Sequence, residues 1–296
     1  MADAKRTLDL SNIFFFAFFH LGAFVAVWYG LAYGYSVYQW LLFAGLSAAS
    51  GFGVTVGYHR LVTHGGFKCG RIARVALSIF GAMALEGAEK TWVANHRAHH
   101  FFSDTEGDLH SPLKYPGVKG FLWAHFGWFF VKYELPPAFR SYRDLERDPV
   151  VQWQSKYYFA IVVAGLFLSL AAGPEGGLLA GFLRVVVLWH ITWSVNSICH
   201  LFGRRAKDSL GNLYSADESR NNLLIAVLGF GEGHHANHHA CPRCAYHGWK
   251  RYDFDPGKWL IRSLELVGMA WDVKKPPAHI IFSSKQLGAK REVIRL

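Results

Sequence analysis

The sequence predicts an all-α integral membrane protein with four transmembrane helices, arranged as two hairpins, and a cytoplasmic helical cap that holds a two-metal site. Three features predict this class: long apolar runs, few charged residues and clustered histidines. Of the 296 residues, 52% are hydrophobic and only 18% are charged, whereas about 25% are charged in typical soluble proteins. The composition excludes a disordered chain, and four cysteines are too few for a disulfide scaffold.

Four apolar runs approach the length of about 20 residues that crosses a bilayer. They cover residues 12–33, 37–58, 157–172 and 178–202. Only a few residues separate the first two runs, and the segment from Gly173 to Gly177 makes a turn between the last two. The runs therefore predict two helical hairpins. A second span directly after the first argues against a signal peptide.

Basic residues predict the orientation of these hairpins. Thirteen Lys and Arg residues lie between positions 58 and 156 and fifteen after position 200, whereas the two hairpin turns contain none. Cytoplasmic segments of membrane proteins are enriched in Lys and Arg. We therefore expect a single membrane domain over residues 1–296, with a cytoplasmic cap formed by residues 59–156 and 203–296. The chain has no nucleic-acid-binding signature, so its net charge of +10 does not indicate such a partner.

Three dense histidine clusters lie in the predicted cap, and a further histidine ends the last span. Residues i, i+3 and i+4 share one helical face, so the histidines of HRAHH (96–100) project together, as do those of HANHH (235–239). Asn196 and His200 are one turn apart, whereas the first cluster, with a spacing of five, fits an α-helix less well. Nine imidazoles on one side of a membrane predict more than one metal ion, and such sites suit Fe, Zn, Cu or Ni. The nine are His59, His64, His96, His99, His100, His200, His235, His238 and His239.

The remaining histidines and the cysteines carry weaker signals. Isolated histidines usually have structural roles, whereas a single CxxC motif, Cys241 to Cys244, is weak evidence for zinc. This motif faces the reducing cytosol in the predicted topology, so we expect no structural disulfide there. The histidines expected to be non-ligands are His20, His110, His125, His190, His234, His247 and His279.

The motifs together resemble those of the membrane fatty-acyl desaturases, most closely the Δ9 or stearoyl-CoA desaturase-like group, which includes bacterial members. The matching segments are HRLVTH (59–64), HRAHH (96–100), NSICH (196–200) and HHANHH (234–239). The resemblance extends from about Gly57 to Lys275. It implies four spans with a cytosolic cap, in agreement with the topology that hydropathy and charge predict.

The resemblance also implies a di-iron centre that the nine histidines hold, with Asn196 holding a water ligand. It implies O2 as co-substrate and an acyl chain in a narrow apolar tunnel. Trp92 lies one helical turn before His96, and we expect it to line this tunnel. Carboxylates usually orient metal-bound imidazoles. The candidates for that role are Asp104, Asp108, Glu232 and Glu86.

Each turnover needs two electrons, and the sequence has no haem motif, ferredoxin cysteine set or flavin fingerprint. An external donor is therefore expected, and the basic cap favours an acidic one such as ferredoxin or a cytochrome b5-type protein. Ala94 and Asn95 replace an Arg-Asp pair that contacts CoA in animal members of the family. The acyl carrier is thus open between CoA, acyl carrier protein and membrane lipid. The sequence favours a bacterial inner membrane over the endoplasmic reticulum.

The leading interpretation is an enzyme that introduces a cis double bond at the Δ9 position of a saturated acyl chain. A sibling oxidation that makes an alkyne, a terminal alkene or an alcohol stays open, because Ala94, His234 and Cys241 depart from the family pattern beside the metal site. A non-catalytic metal-binding membrane protein or transporter is disfavoured, since the histidines lie at span ends rather than at mid-membrane. The identity of the product separates the first two interpretations.

Overall fold

Four long helices dominate the computed structural model of the chain, which describes residues 7–140, 142–208 and 211–276. Each of the four is long and apolar enough to cross a membrane. They are Leu10–Tyr33, Val37–Thr63, Pro149–Ala172 and Pro174–Leu201. The four expected spans are confirmed as helices of this kind, with shifted bounds. His279 lies outside the described residues.

The described residues are mostly helical, with one short antiparallel strand pair, in which Lys68 lies opposite Trp271. The helices other than α-helices are two π-helices, Gly53–Thr63 and Gly177–Leu183, and short 3-10 helices at Pro112–Lys114, Gly127–Phe130 and Leu170–Ala172. The elements are α1 (Leu10–Tyr33), α2 (Val37–Phe52), β1 (Lys68–Cys69), α3 (Arg71–Ala82), α4 (Glu89–Phe102), α5 (Gly117–His125), α6 (Pro137–Arg140), α7 (Arg143–Arg147), α8 (Pro149–Ser169), α9 (Pro174–Gly176), α10 (Arg184–Leu201), α11 (Leu223–Leu228), α12 (His235–Ala240), α13 (Pro256–Leu266) and β2 (Ala270–Trp271).

The turn between α1 and α2 follows from local chemistry. Gly34 ends α1 with a φ of 77°, a left-handed conformation that glycine adopts without steric cost. Two residues later, the Ser36 side chain accepts a hydrogen bond from the backbone N–H of Gln39, and the Gln39 side chain accepts one from the N–H of Ser36. This reciprocal cap starts α2 at once, so the two helices are joined by only three residues.

The helix of the third span begins eight residues before the expected position 157. The Asp148 carboxylate caps it by accepting hydrogen bonds from the N–H groups of Val150 and Val151, and Pro149 occupies the first helical position. The first turns of this helix contain polar residues, which lower the hydropathy of the segment. The apolar run in the sequence therefore did not include these turns. One of these residues, Gln154, is buried and donates to the hydroxyl of Tyr58, while its carbonyl accepts from the backbone N–H of Glu89.

The second span changes from α to π geometry at Gly53 and keeps it to Thr63. A Cβ at Gly53 would lie 2.0 Å from the backbone nitrogen of Gly81, so glycine permits α3 to pack closely here. In a π-helix, backbone hydrogen bonds join residues five apart, and the N–H of His64 donates to the carbonyl of His59. The spacing of five, which fits an α-helix poorly, therefore brings these imidazoles to one face, with ring centroids 5.0 Å apart.

A buried ion pair fixes α4, which carries three of the clustered histidines. Arg74 of α3 donates two parallel hydrogen bonds to the carboxylate of Glu89, at 2.9 and 3.0 Å. Ser78 donates a third hydrogen bond to the same carboxylate, at 2.8 Å. Glu89 is fully buried, and burying an ionised carboxylate is costly unless it is paired and hydrogen-bonded in this way. The pair therefore joins the start of α4 to α3.

Three of the histidines expected to be structural form a chain that joins α1, α5 and α10. The Nε2 atoms of His20 and His190 lie 3.1 Å apart, and His125 Nε2 lies 2.9 Å from His190 Nδ1. The chain ends at the hydroxyl of Ser197, 2.9 Å from His125 Nδ1. Hydrogen bonds between helices replace the missing hydrophobic driving force in a bilayer. We interpret this chain as the polar link that holds α5 against the long helices.

Replacing Arg74 with Met tests the role of the buried ion pair. The substitution leaves Glu89 buried without its cation, so we expect the free energy of unfolding to fall by about 3–5 kcal/mol. Thermal unfolding of the detergent-purified protein measures the change. The matched control is Arg71→Met on the exposed face of the same helix, which should leave the unfolding temperature nearly unchanged. Equal effects of the two substitutions would contradict this role.

Candidate metal centre

The structure brings the nine spaced histidines together in two adjacent groups. Within each group, one possible ligand atom from every side chain lies within 4.8 Å of the others. Ring centroids of His99 and His100, which belong to different groups, are 5.7 Å apart, so the groups are neighbours. The first group is His59, His64, His96, His100 and His238, and the second is His99, His200, His235 and His239.

The inward-facing Nε2 atoms have the spacing that shared metal ions require. In the first group, His100 Nε2 lies 3.0 Å from His96 Nε2 and 2.8 Å from His238 Nε2. In the second, the Nε2 atoms of His200 and His235 are 2.9 Å apart. Nitrogens that share an ion at ~2.0–2.1 Å and meet at right angles lie about 3 Å apart. These distances therefore fit one ion in each group.

Other Nε2 atoms in the two groups are buried without a hydrogen-bond partner among the described residues. They belong to His64, His99 and His239. A buried polar nitrogen without a partner is costly, whereas a bound metal ion satisfies it. Together with the all-nitrogen donor set, these nitrogens support divalent transition metals as the ions that the site binds.

Asp104, Asp108 and Asp217 hold the second group from outside. Each accepts a hydrogen bond from the Nδ1 of one imidazole, which fixes the ring and directs Nε2 inward. Burial alone would raise the pKa of Asp108, but the adjacent His99 and backbone hydrogen bonds hold it well below its usual range. The pKa of Asp217 is lowered in the same way by His239. The contacts are His99–Asp108 at 3.1 Å, His200–Asp104 at 2.8 Å and His239–Asp217 at 2.8 Å.

Glu232 orients the first group. Its carboxylate lies 2.6 Å from His59 Nδ1, and Arg60 contacts the other carboxylate oxygen at 3.4 Å. Arg60 is itself buried and paired with Asp255 at 2.9 Å. Glu232 therefore pairs with the Arg60 guanidinium through one carboxylate oxygen and holds the His59 imidazole with the other. The fourth candidate, Glu86, contacts no clustered imidazole in the described part of the chain.

Two contributors to the site were missed by the sequence analysis. Asp217 lies between the NSICH and HHANHH segments, and its distance along the chain from His239 gave no sign of their contact. His247, expected to be unrelated to the site, is buried with its ring centroid 4.5 Å from that of His238. Its Nδ1 lies 3.5 Å from Glu232. Because Arg60 already contacts Glu232, we interpret His247 as packing against the first group rather than as a third metal site.

Two other histidines lie beside the clusters, His110 in contact with the second group and His234 outside both groups. His110 lies against His99, with ring centroids 4.5 Å apart, and its Nδ1 is 3.7 Å from Asp108. His234 faces away from the metal groups, and its Nε2 contacts the carbonyl of Phe254 at 3.1 Å. The orientation of His234 follows from the helix, since α12 begins at the next residue and places His235 on the inner face.

The expectation about the CxxC motif was wrong, because Cys241 and Cys244 form a disulfide. The chain makes a tight turn just after α12, and the N–H of Cys244 donates to the carbonyl of Cys241. This turn brings the two Cα atoms 5.4 Å apart, within the range that a disulfide bridges. A turn of this kind is not visible from the spacing alone.

Two narrow cavities adjoin the histidine groups and meet at Trp92, His96 and Asn196. The inner one, of about 60 Å³, extends between α2 and α10 to Ser50 and Gly51. The outer one, of about 90 Å³, lies between α4 and α10. It adjoins a surface pocket of about 650 Å³ that shares four of its lining residues. The shared residues are Asn95, Leu109, Trp128 and Phe129.

Glu86 lies where these two cavities meet. Its carboxylate accepts hydrogen bonds from Trp92 Nε1 at 3.1 Å and from the Thr192 hydroxyl at 2.8 Å. Burial raises the pKa of Glu86 to about 7, although these two hydrogen bonds oppose the shift. Glu86 thus fixes the indole of Trp92, which stacks on His96 with ring centroids 4.9 Å apart.

Comparison with known proteins agrees with this site. The model of the fatty acid desaturase family matches residues 38–252. The chain belongs to the fatty acid desaturase family. It is an oxidoreductase, an acyl desaturase, and the resemblance seen in the histidine motifs is confirmed.

Three curated relatives differ in the carrier and product that their names state. The chain is 35% identical to the sn-1 stearoyl-lipid 9-desaturase of Anabaena variabilis, over 92% of this chain and 96% of the relative. It is 36% identical to the icosanoyl-CoA 5-desaturase of Limnanthes douglasii, over 80% and 65%. It is 37% identical to the hex-5-enoyl-[acyl-carrier protein] acetylenase of Moorena producens (strain JHB), over 82% and 79%.

Replacing Asp217 with Asn tests whether this carboxylate supports the metal centre. The change keeps the size of the side chain but weakens the hydrogen bond to His239, so we expect metal affinity to fall about 10–100-fold. Metal retained during titration with a chelator measures the affinity. Glu218→Gln is the control, because Glu218 pairs with Arg205 and Arg220 rather than with an imidazole. Unchanged retention in Asp217→Asn would contradict the assignment.

Replacing Glu86 with Gln tests its raised pKa. The ordinary pKa of 4.5 applies in the unfolded chain, whereas the folded value is about 7. Between these values the folded protein binds a proton that the unfolded chain has lost, so stability falls as pH rises through this window. We expect Glu86→Gln to reduce the fall in unfolding temperature between about pH 5.5 and pH 8. The same fall in wild type and variant would contradict the shift.

Proposed function

We propose that this desaturase uses two iron ions and O2 to introduce a cis double bond at the Δ9 position of a saturated acyl chain. The observation that carries the proposal is the pair of imidazole groups at the point where two narrow, largely apolar cavities meet. Such a site combines metal-based oxidation with a binding path for a hydrocarbon chain. Unactivated C–H bonds are beyond the reach of acid–base side chains, so a metal oxidant is required.

The metal ligands in this proposal are the nine histidines, with five on one ion and four on the other. Asn196 lines both cavities beside His96, and we assign it to hold a water ligand. Asp104, Asp108, Glu232 and Asp217 orient the rings from outside. When bound, the two iron ions supply the O2-derived oxidant that removes two hydrogens from adjacent methylenes.

The protein residues supply position and exclude water. The acyl carrier binds in the 650 Å³ surface pocket, and the chain passes through the outer cavity, crosses the site beside Trp92 and ends in the inner cavity. Trp92 is fixed between Glu86 and His96, so it sets the path of the chain relative to the imidazoles. Fixed geometry of this kind selects which carbons react.

The surface pocket favours a membrane lipid as the acyl carrier. Ala94 and Asn95 lie in its lining, so it lacks there the Arg-Asp pair that animal acyl-CoA members carry. Its two lysines, Lys90 and Lys132, are balanced by Asp9 and Glu134, so the lining suits a polar lipid head group better than the polyanionic CoA. The relative from Anabaena variabilis, whose name specifies a stearoyl lipid, matches nearly the whole chain.

The membrane arrangement in this proposal is two hairpins that place both termini and the metal centre in the cytoplasm. The short turn at residues 34–36 supports the first hairpin, and the turn at Gly173 supports the second. The distribution of Lys and Arg supports the orientation. A bacterial inner membrane fits the cyanobacterial source of the lipid 9-desaturase relative.

A second candidate is an acetylenase, which desaturates an existing double bond further. The specific observation in its favour is the 37% identity to the acetylenase of Moorena producens, which acts on an acyl carrier protein substrate by its name. The two reactions share the metal centre and differ in product. Cys241 and His234, which depart from the usual family residues close to α12, are consistent with this second candidate.

Lipid analysis by mass spectrometry tests the proposed function. The chain is expressed with a ferredoxin pair in a desaturase-deficient bacterial host, beside a His96→Ala variant that removes one metal ligand. We expect a new cis-Δ9 monoene in membrane lipids that is absent with His96→Ala. An alkyne on acyl carrier protein would favour the second candidate. No O2-dependent product with several donors would contradict both.

A further inference from the structure

A basic groove of about 710 Å³ lies on the outer side of α12, away from the substrate cavities. Its basic side chains are Arg204, Lys207 and Lys250, and all three are exposed. The single carboxylate in its lining, Asp253, accepts a hydrogen bond from the backbone N–H of Lys250. The groove thus presents a surplus of positive charge to a partner.

The wall of this groove is the helix that carries three proposed metal ligands. His234 and Asn237 line the groove, while His235, His238 and His239 face the metal groups on the opposite side of α12. A helix with its side chains is roughly 10 Å wide. A redox group seated in the groove is therefore separated from the metal centre by about one helix.

Asn237 forms a rigid connection across that wall. Its side chain accepts a hydrogen bond from Asn221 Nδ2 at 2.7 Å and donates to the carbonyl of His247 at 2.9 Å. His247 in turn packs on His238. Two hydrogen bonds and one ring contact thus lead from the groove to His238, which also directly follows Asn237 in the chain.

The groove is separate from the route assigned to the acyl chain. No residue that lines it also lines the two narrow cavities or the surface pocket that adjoins them, within the part of the chain described. Trp249 and the exposed Leu223 and Leu224 give it an apolar portion beside the basic rim. A partner can therefore bind here while the substrate occupies its own entrance.

We propose that this groove is the docking surface for the acidic one-electron carrier protein that supplies the enzyme. The inference rests on the proposed function, because that reaction needs an electron source. A –CH2–CH2– unit, O2, two electrons and two protons give –CH=CH– and two water molecules, so O2 is reduced and the carrier is oxidised twice per turnover. Complementary charge accelerates such encounters and fixes their orientation.

Charge reversal at two lysines that line the groove tests the proposal. The double variant Lys207→Glu, Lys250→Glu in the full chain is assayed for product formation with increasing concentrations of a reduced [2Fe–2S] ferredoxin. We expect KM for ferredoxin to rise about 10-fold or more, and this difference to shrink at high ionic strength. A single turnover of dithionite-reduced enzyme, which needs no carrier, should be unchanged.

The control is Lys119→Glu, an exposed lysine on α5 outside the groove, which matches in charge the single variants Lys207→Glu and Lys250→Glu. It should leave KM for ferredoxin within about 2-fold of wild type, because steering depends on the local field rather than on total charge. If the double variant also slows the dithionite reaction, the milder double variant Lys207→Gln, Lys250→Gln replaces it. We expect KM for ferredoxin to rise in this variant as well.

Three results would overturn the docking surface. These are an unchanged KM in the groove variants, an equal rise in Lys119→Glu, and reduced binding to anionic lipid vesicles with unchanged KM. The last result would identify the groove as a lipid contact. An inactive wild type with both ferredoxin and dithionite would instead contradict the proposed function.

Discussion

Nine buried or half-buried imidazoles that face one another are the constraint on which this structure depends. Each imidazole nitrogen removed from water needs a partner, because burying a polar group without one costs about 1–3 kcal/mol. Aspartate and glutamate satisfy several of the outer nitrogens, and Nε2 atoms turn toward each other at 2.8–3.0 Å. A metal ion within each group would satisfy several of these nitrogens at once.

The rest of the fold holds these rings in place. The Arg74–Glu89 pair positions α4, the π-helical end of the second span aligns His59 with His64, and the buried pair of Arg60 with Asp255 fixes Glu232. The end of α10 supplies His200, and the short helix α12 supplies His235, His238 and His239. Separate elements thus converge on one region, and the two narrow cavities lie between the same elements.

Much of this site could be predicted from the sequence, because helical spacing determines which histidines share a face. HRAHH and HANHH show this spacing, and long apolar runs mark the spans. Contacts between distant segments could not be predicted in this way, as His247 against His238 and Asp217 against His239 illustrate. Local departures from α geometry were also hidden. The π-helix at Gly53 and the turn that closes the Cys241–Cys244 disulfide depend on tertiary packing rather than on residue type.

The iron content of the purified protein tests the central claim most directly. Anaerobic reconstitution with ferrous iron, followed by removal of free metal, gives protein whose bound metals are counted by mass spectrometry. Two imidazole groups predict two iron ions per chain. One iron per chain would contradict a two-metal centre.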